Sequence, residues 1–505
     1  MNIISLFDDH VRQQPDKPFL RYAGRTYTYA QVDDLSRRAA TVLIQHGVGT
    51  GDRFALMCLN TPGFMIAMLG AWRIGAAVVP INHKLQAPEV DYILSHARVK
   101  LALFDGALAP VVERLTHSVH RLGTESELPG HPSFDALLEH AAAFDGPPPA
   151  DESIAEVLYT SGTTGRPKGC LHSHRSACHA GETAVRAASM EQNERTLIAM
   201  PLWHSSPLNN WMLGTLYVGG TIVLLREYHP EAFLRTVQDE RVTLYFGAPV
   251  SYLLPLQMGL NVADFDLGSV RAWIYGGGPI GAETARRLMN AYRSERFYQM
   301  FGMTETGPAG TVLYPEEQIA KAGSIGRVTT PGAEMKIIGK DGREAKAGEV
   351  GEIWLRCSSL MQRYLDAPDA TAEAIVDGWY RSGDLVRVDE DGYLFVVDRS
   401  KDMIVTGGEN VYSKEVEDVL IEHPAVRDVA VVGRPHPEWG ETVVAFIVPN
   451  PDATVDRDAI NAWLAPRLAK YKIPREYLVR ESLPRTPTGK LTKASLRACE
   501  AWDPL

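Results

Sequence analysis

The segment Tyr159-Thr160-Ser161-Gly162-Thr163-Thr164-Gly165-Arg166-Pro167-Lys168-Gly169 carries the strongest chemical signal in the chain. Hydroxyls, glycines free to take positive φ and one lysine are what a polyphosphate cradle needs. Backbone N–H groups can turn toward the anion, hydroxyls add donors, and the ammonium adds charge. The run is not a Walker A loop, because GxxxxGK[ST] is absent. A generic Gly/Ser/Thr run is more often a surface loop. Here a proline and a lysine at fixed offsets, behind the apolar strand candidate Ile154–Leu158, favour the phosphate reading. Other residues could complete such a site. Asp384, in Arg381-Ser382-Gly383-Asp384, offers two carboxylate acceptors that suit a ribose diol. Glu305 is a hard oxygen ligand for Mg²⁺ bridging phosphates. Phe301 offers a flat face for a base. Gly276-Gly277-Gly278-Pro279, after the strand candidate Ala272–Tyr275, lets a planar ligand lie against bare backbone. Each has a plainer reading when taken alone: a turn aspartate, a solvated glutamate at a helix start, a core aromatic, a tight turn.

Taken together they are harder to dismiss. The loop at 159–169 resembles the phosphate loop of the adenylate-forming superfamily, which comprises acyl-CoA synthetases, adenylation domains of peptide synthetases and beetle luciferases. Tyr298-Gln299-Met300-Phe301-Gly302-Met303-Thr304-Glu305 resembles that family's aromatic-Gly-x-Thr-Glu element, and Arg381–Asp384 its ribose segment. Asp398-Arg399-Ser400-Lys401-Asp402 resembles its interdomain hinge and Thr406-Gly407-Gly408-Glu409-Asn410 its thiol-tunnel loop. Pro484-Arg485-Thr486-Pro487-Thr488-Gly489-Lys490 resembles its C-terminal lysine loop. The six stand in the family's order over about residues 20–495. Two departures are visible: Phe301 stands where most relatives carry Tyr, keeping the stacking face without the hydroxyl, and Ser382 replaces the commoner Thr.

The resemblance implies an ATP-dependent acid:CoA ligase that forms acyl-AMP with release of pyrophosphate, then an acyl-CoA thioester. It implies ATP, Mg²⁺ and coenzyme A as cofactors or co-substrates. Lys490 would reach the acyl and α-phosphate oxygens. Thr160, Ser161, Gly162, Thr163, Thr164, Gly165 and Lys168 would hold the β and γ phosphates, Thr304 the α-phosphate and Glu305 the metal. Phe301 and Gly302 would take adenine, Gly276, Gly277 and Gly278 would line both the adenine and acyl pockets, and Asp384 with Arg399 would hold the ribose. Gly407, Gly408, Glu409 and Asn410 would line the thiol path, Lys401 would be the hinge, and His204 would gate the acyl entrance. The alternative acceptor is a carrier-protein pantetheine.

The acid itself is less legible. Candidate pocket residues, chosen by neighbourhood to the motifs, are His179, Trp203, Asn209, Trp211, Phe246, Ala248, Gly277 and Met303. Their mixed sizes suggest an apolar-tailed monocarboxylate, medium-chain or aromatic, as in fatty acid metabolism. Where amino-acid-activating relatives hold the substrate ammonium with Asp, this chain has Trp203-His204-Ser205-Ser206, which argues against an α-amino acid. Cys170, His172, His174, Cys178 and His179 crowd within ten residues, but their spacing is not that of a zinc finger.

These residues need a frame. Thr28 is placed to cap a helix through Ala30, Val32, Leu35, Ala39 and Leu43. Phe54–Cys58 reads as a buried parallel strand, Phe64–Ile74 as a buried helix and Ala77–Val79 as the next strand. This alternation predicts layered α/β subdomains with largely parallel sheets. Residues 121–152, polar and ending in Gly146-Pro147-Pro148-Pro149, read as surface connection. A small β unit is expected at about 326–400, with turns at 339–342, 377–378 and 391–392. The expected division is a 1–400 AMP-binding domain and a small mobile α+β domain at 401–505, where Val416–Leu420 and Ile460–Leu468 read as helices and Val429–Val432 and Val443–Val448 as strands.

Composition agrees. With 505 residues the chain exceeds a single domain, and 45% hydrophobic with 22% charged residues is ordinary for a globular protein. The balance of 51 Lys+Arg against 62 Asp+Glu gives −11, the wrong sign for a general nucleic-acid binder. The stretch Arg467–Arg497 is locally basic and is a candidate polyanion surface. Five cysteines without a CxxC pair fit a reducing compartment. The start MNIISLFDDH has no basic n-region, and Phe64–Trp72 is too short to span a bilayer, so no transmembrane segment and a cytoplasmic location are expected. Oligomeric state stays open, a homodimer included.

Overall fold

A computed structural model describes residues 1–160, 167–399, 402–406, 409–437, 439–451, 453–485 and 491–497. They form two compact units: 1–335 with 354–381, and 336–353 with 382–505.

Two sheets dominate the first unit. One has nine strands among the described residues, in the order Val328–Thr329, Gly310–Leu313, Phe297–Gly302, Ala272–Gly276, Leu244–Gly247, Arg195–Ile198, Thr221–Leu224, Pro18–Tyr22 and Arg25–Thr28. It is parallel from Phe297–Gly302 to Pro18–Tyr22 and antiparallel at both edges. The other has seven, in the order Arg363–Tyr364, Lys168–Ser173, Ile154–Thr160, Ala77–Pro80, Arg53–Met57, Leu101–Asp105 and His120–Thr124.

Alternation along the strands shows how these sheets are layered. Phe54, Leu56, Leu101 and Leu103 share one core with Ala272 and Ile274 of the other sheet. Their neighbours Ala55, Met57, Ala102 and Phe104 face a second core, with Val90, Ile93 and Leu94 of the helix Ala87–His96. Trp273 and Tyr275 face a third, with Phe233 and Val237 of Pro230–Asp239 and Leu288 of Ala282–Tyr292. A middle helical layer thus lies between two sheets, with further helices outside each.

That middle layer explains the helix Pro62–Arg73, every residue of which is buried. A helix apolar all round has no solvent face to offer. It crosses Tyr29–Gln45 so closely that a Cβ on Gly70 would stand 2.6 Å from Ala39 Cβ. Its terminal Arg73 is satisfied by Ser36 Oγ at 2.8 Å, Asp8 at 3.0 Å and Asp33 at 2.5 Å. Thr28 caps Tyr29–Gln45 in a full capping box with Gln31, as its position predicts.

The stretch 121–152 is not merely surface connection. His120–Thr124 pairs parallel with Leu101–Asp105, and Phe134–His140 is a helix with Phe134 fully buried. The polar, turn-rich flanks hide a short edge strand whose inward residue is Leu122.

In the second unit, Val426–His436 and Gly440–Pro449 form a long hairpin, joined by Ile404–Thr406, Glu409–Val411 and the parallel strand Glu476–Val479. One face packs on the helices Ser413–Ile421 and Arg457–Leu464 through Val416, Leu420, Ile460 and Leu464. The opposite face packs on Leu483 and Leu496. Leu394–Arg399 of this unit pairs antiparallel with Asp384–Val388. No described helix is long and apolar enough to cross a membrane.

Candidate active site

Ile154–Thr160 runs antiparallel to Lys168–Ser173, with Thr160 opposite Lys168 in register. Ser161, Gly162, Thr163, Thr164 and Gly165 lie outside the described residues, as do Lys401, Gly407, Gly408 and Lys490.

Lys168 Nζ stands over the Tyr364 ring, 4.5 Å from its centroid. The two-residue strand Arg363–Tyr364 closes the edge of the sheet, pairing with Leu171 and Cys170. Tyr364 Oη donates to Glu305 Oε1 at 2.9 Å. Glu305 is only 9% exposed. It rides on the single turn Thr304–Thr306, directly after Phe297–Gly302. That turn is stapled from several sides. Met361 N–H donates to the Glu305 carbonyl at 2.8 Å, and Ser359 Oγ to the Thr306 carbonyl at 2.6 Å. Gly307 follows at φ +60°, where a Cβ would stand 2.7 Å from the Ser359 carbonyl, so only glycine fits.

His172 Nε2 donates to the Thr304 carbonyl at 2.9 Å, and burial pushes this imidazole down to about 4, so the ring is neutral. His174, also pushed to about 4 by burial, packs edge-on against Trp72. Burial, then the Glu305 charge, pushes the Cys170 thiol up. Among the described residues no three His, Cys, Asp or Glu side chains gather as a metal site. A lone buried carboxylate, one oxygen held by a phenol, suits a cation that takes its other ligands from phosphate and water, as Mg²⁺ does.

Phe301 is half-buried on its strand, which carries Gly302 at its end. Gly277 takes φ +85°, and a Cβ on Gly277 or Gly278 would meet nothing within 4 Å, so bare backbone borders open space there. A Cβ on Gly276 would stand 3.1 Å from the Phe246 ring, which stacks on Trp211 at 5.5 Å. Trp211 and Asn209 lie on a π-helical turn, Ser206–Met212. His204, half-buried, precedes it, and Trp203 Nε1 donates to His83 Nδ1 at 3.2 Å. Met303 packs near Cys170 and Tyr364. His179 pairs with Glu182 on its own helix at 3.1 Å, and Ala248 precedes Pro249–Gln257.

Two residues that the sequence reading missed are prominent. One is Tyr364. The other is Glu156, fully buried, which accepts from Asn209 Nδ2 at 2.6 Å while its second oxygen has no partner among the described residues. Burial pushes its carboxyl up to about 7. A single acidic residue inside the apolar run Ile154-Ala155-Glu156-Val157-Leu158 was the available signal.

In the second unit, Asp384 stands opposite Arg399 across antiparallel strands, and Arg399 Nε meets Asp384 Oδ1 at 2.8 Å. Glu409 and Asn410 lie on Glu409–Val411. Four of the nine cations in the basic stretch pair with acids of their own unit: Lys472 with Glu415, Arg485 with Asp428, Lys493 with Glu417 and Arg497 with Asp402.

A large layered α/β unit followed by a smaller α+β unit, with a lysine, a buried carboxylate and bare glycine backbone at strand ends, defines a nucleotide-using α/β enzyme. The chain belongs to the AMP-binding enzyme family: residues 7–365 match that family and 415–490 its C-terminal domain. It is 36% identical to a feruloyl-CoA synthase from Amycolatopsis sp, over 96% of each chain. It is 34% identical to the long-chain-fatty-acid–CoA ligase FadD13 of Mycobacterium tuberculosis, over 93% of this chain and 92% of that one. Among solved structures it resembles o-succinylbenzoate CoA synthetase from Bacillus subtilis in complex with its acyl-adenylate intermediate, at 28% identity, TM-score 0.87 and 99% coverage of both.

Proposed function

We propose that this protein is an ATP-dependent acid:CoA ligase acting on an apolar-tailed monocarboxylate, medium-chain or aromatic. The observation that carries the reading is the assembly of Lys168, Tyr364 and Glu305. A carboxylate is a poor electrophile, because its leaving group would be oxide. Attack of a carboxylate oxygen on the α-phosphorus of ATP breaks the bond to the β-phosphate oxygen, giving acyl-AMP and pyrophosphate. The thiol of coenzyme A then attacks the acyl carbon, and AMP leaves.

The first step brings anions together, so positive charge must be aimed where negative charge develops. Lys168 and the hydroxyls of Thr160, Ser161, Thr163 and Thr164 hold the outer phosphates. Thr304 holds the α-phosphate and Lys490 the reacting oxygens. Asp384, with Arg399, takes the ribose diol, and Phe301 with Gly276–Gly278 takes adenine. Glu305 would hold Mg²⁺, which when bound screens the phosphate charges. His204, Trp203 and the turn bearing Asn209 and Trp211 border the acyl entrance. Residues 401–505 form a mobile unit hinged at Lys401, bringing either Lys490 or the Gly407–Asn410 loop to the nucleotide. The free thiols of Cys58, Cys170, Cys178 and Cys357 support a reducing compartment, the cytoplasm.

The test is a pyrophosphate-release screen over straight-chain, branched and aryl acids, with coenzyme A, with a pantetheinylated carrier protein and with neither. Acid-dependent AMP and pyrophosphate, with thioester formed on coenzyme A, supports the reading. ADP and phosphate would refute adenylation, and thioester on the carrier protein alone would replace coenzyme A as acceptor.

A further inference from the structure

We propose that Tyr364 is a positioning residue that holds Lys168 and Glu305 apart, each ready for its own part of a metal–triphosphate. The proposal rests on the function proposed above and adds to it a residue that the motifs do not contain.

One side chain touches both charges. Its hydroxyl donates to Glu305 Oε1 at 2.9 Å, and its ring face takes Lys168 Nζ at 4.5 Å from the centroid. Tyr364 is only 3% exposed and is fixed along its backbone. Its N–H donates to Thr371 Oγ1 at 3.0 Å, Leu365 N–H to the Gly169 carbonyl at 2.7 Å, and Gln362 N–H to the Leu171 carbonyl at 2.8 Å. The ring is thus tied to the strand that carries Lys168. Met361 N–H, three residues earlier, ties the same segment to the Glu305 carbonyl. Tyr380, also buried, packs in the same cluster as Tyr364 and Met361.

The arrangement solves a specific problem. A lysine and a glutamate this near the same site attract each other, and a direct ion pair would engage the ammonium that phosphate needs and the oxygen that a metal needs. Among the described residues Lys168 makes no ion pair. The electron-rich ring face offers the ammonium a weaker partner that leaves N–H groups pointing outward. The phenol engages one carboxylate oxygen and leaves the other.

Two variants separate the contacts. Tyr364→Phe keeps the ring and removes the hydroxyl. Tyr364→Leu removes both and lets Lys168 fall onto Glu305. The first readout is calorimetric binding of ATP without acid, with Mg²⁺ and with EDTA. Phe should lose about tenfold to a hundredfold in the Mg²⁺-dependent part of affinity, as loss of a partner behind a metal ligand does, and keep binding in EDTA. Leu should lose both. The second readout is the Mg²⁺ half-saturation of pyrophosphate release, which should rise by the same factor in Phe. The third is thioester formation from supplied acyl-AMP and coenzyme A, which uses neither metal nor outer phosphates and should fall no more than about twofold.

Wild-type Mg²⁺ dependence in Phe would overturn the proposal. So would an equal fall in all three readouts, which marks a merely structural tyrosine. Phe and Leu behaving alike in EDTA would overturn the Lys168 half. If no acid yields pyrophosphate from wild type, yet ATP binding follows the stated order, the proposed activity fails while the role of Tyr364 stands.

Discussion

Glu305 and Glu156 show what a single residue reveals and conceals. Glu305 was legible because it sits in a motif, while its burial was not, since a turn glutamate is ordinarily solvated. Glu305→Gln keeps the shape and removes the charge. Acid-dependent pyrophosphate release should fall about a hundredfold or more, with a far-UV spectrum like wild type. Glu156 was hidden by the opposite circumstance: it has no motif, and its hydrogen bond to Asn209 joins residues 53 apart in sequence. Its carboxyl titrates at about 7 in the fold against 4.5 ordinarily. The folded state therefore holds that proton more tightly than the unfolded chain. The resulting stability is fully present below about pH 4.5 and is lost as pH rises through about 7. A shift of that size corresponds to about 3 kcal/mol. Glu156→Gln keeps a neutral amide beside Asn209. Urea unfolding at pH 5 and pH 8 should show wild type losing most of that amount relative to the variant. Comparing the two proteins cancels the opposite trend from His172 and His174, present in both. A difference curve flat in pH would show that Glu156 is not buried as described.

At the scale of elements, the periodic and capped pieces were legible. Thr28 and Gln31 announce the start of Tyr29–Gln45, and the apolar run at 62–73 announces a buried helix. What local pattern did not announce was short and decided by distant partners. Arg363–Tyr364 is a strand because Cys170 and Leu171 lie beside it, and His120–Thr124 because Leu101–Asp105 does. The π-helical turn Ser206–Met212 has no sequence signal beyond Pro207 near its start. Where two helices nearly touch, size becomes the constraint. Gly70→Val should force apart Pro62–Arg73 and Tyr29–Gln45, because even a Cβ at Gly70 would stand 2.9 Å from Ala40 N. Overpacking of this kind costs about 1–3 kcal/mol or more, readable as a lower thermal midpoint. An unchanged midpoint would mean that the crossing has slack.

For the whole molecule, the α/β layering and a separate C-terminal α+β unit followed from the rhythm of the chain, and the order of the six motifs pointed to the family. The grouping of 336–353 with 382–505 did not follow, because it depends on which strands pack together rather than on where composition changes. The proposal that one unit serves two reactions is tested by separating them. Lys490→Ala should stop acyl-AMP formation yet still convert supplied acyl-AMP and coenzyme A to thioester. Gly408→Leu should do the reverse, and Lys401→Pro, with φ fixed near −65°, should leave one half-reaction only. Equal loss of both half-reactions in the first two, with the fold intact, would refute a rotating unit. The buried helix Pro62–Arg73 supplies a gauge for such experiments. With no face toward water, its amides can meet deuterium only when the whole first unit opens, whereas surface elements exchange through small local openings. Its exchange rate therefore reads global stability, and any ligand that binds only the folded unit must slow it by the factor 1 + [L]/Kd. At a hundredfold excess of ATP over its dissociation constant, deuterium uptake in peptides covering 62–73 should slow about a hundredfold. Uptake there that ignores ATP would mean that the helix opens on its own, and that the middle layer is less sealed than its burial implies.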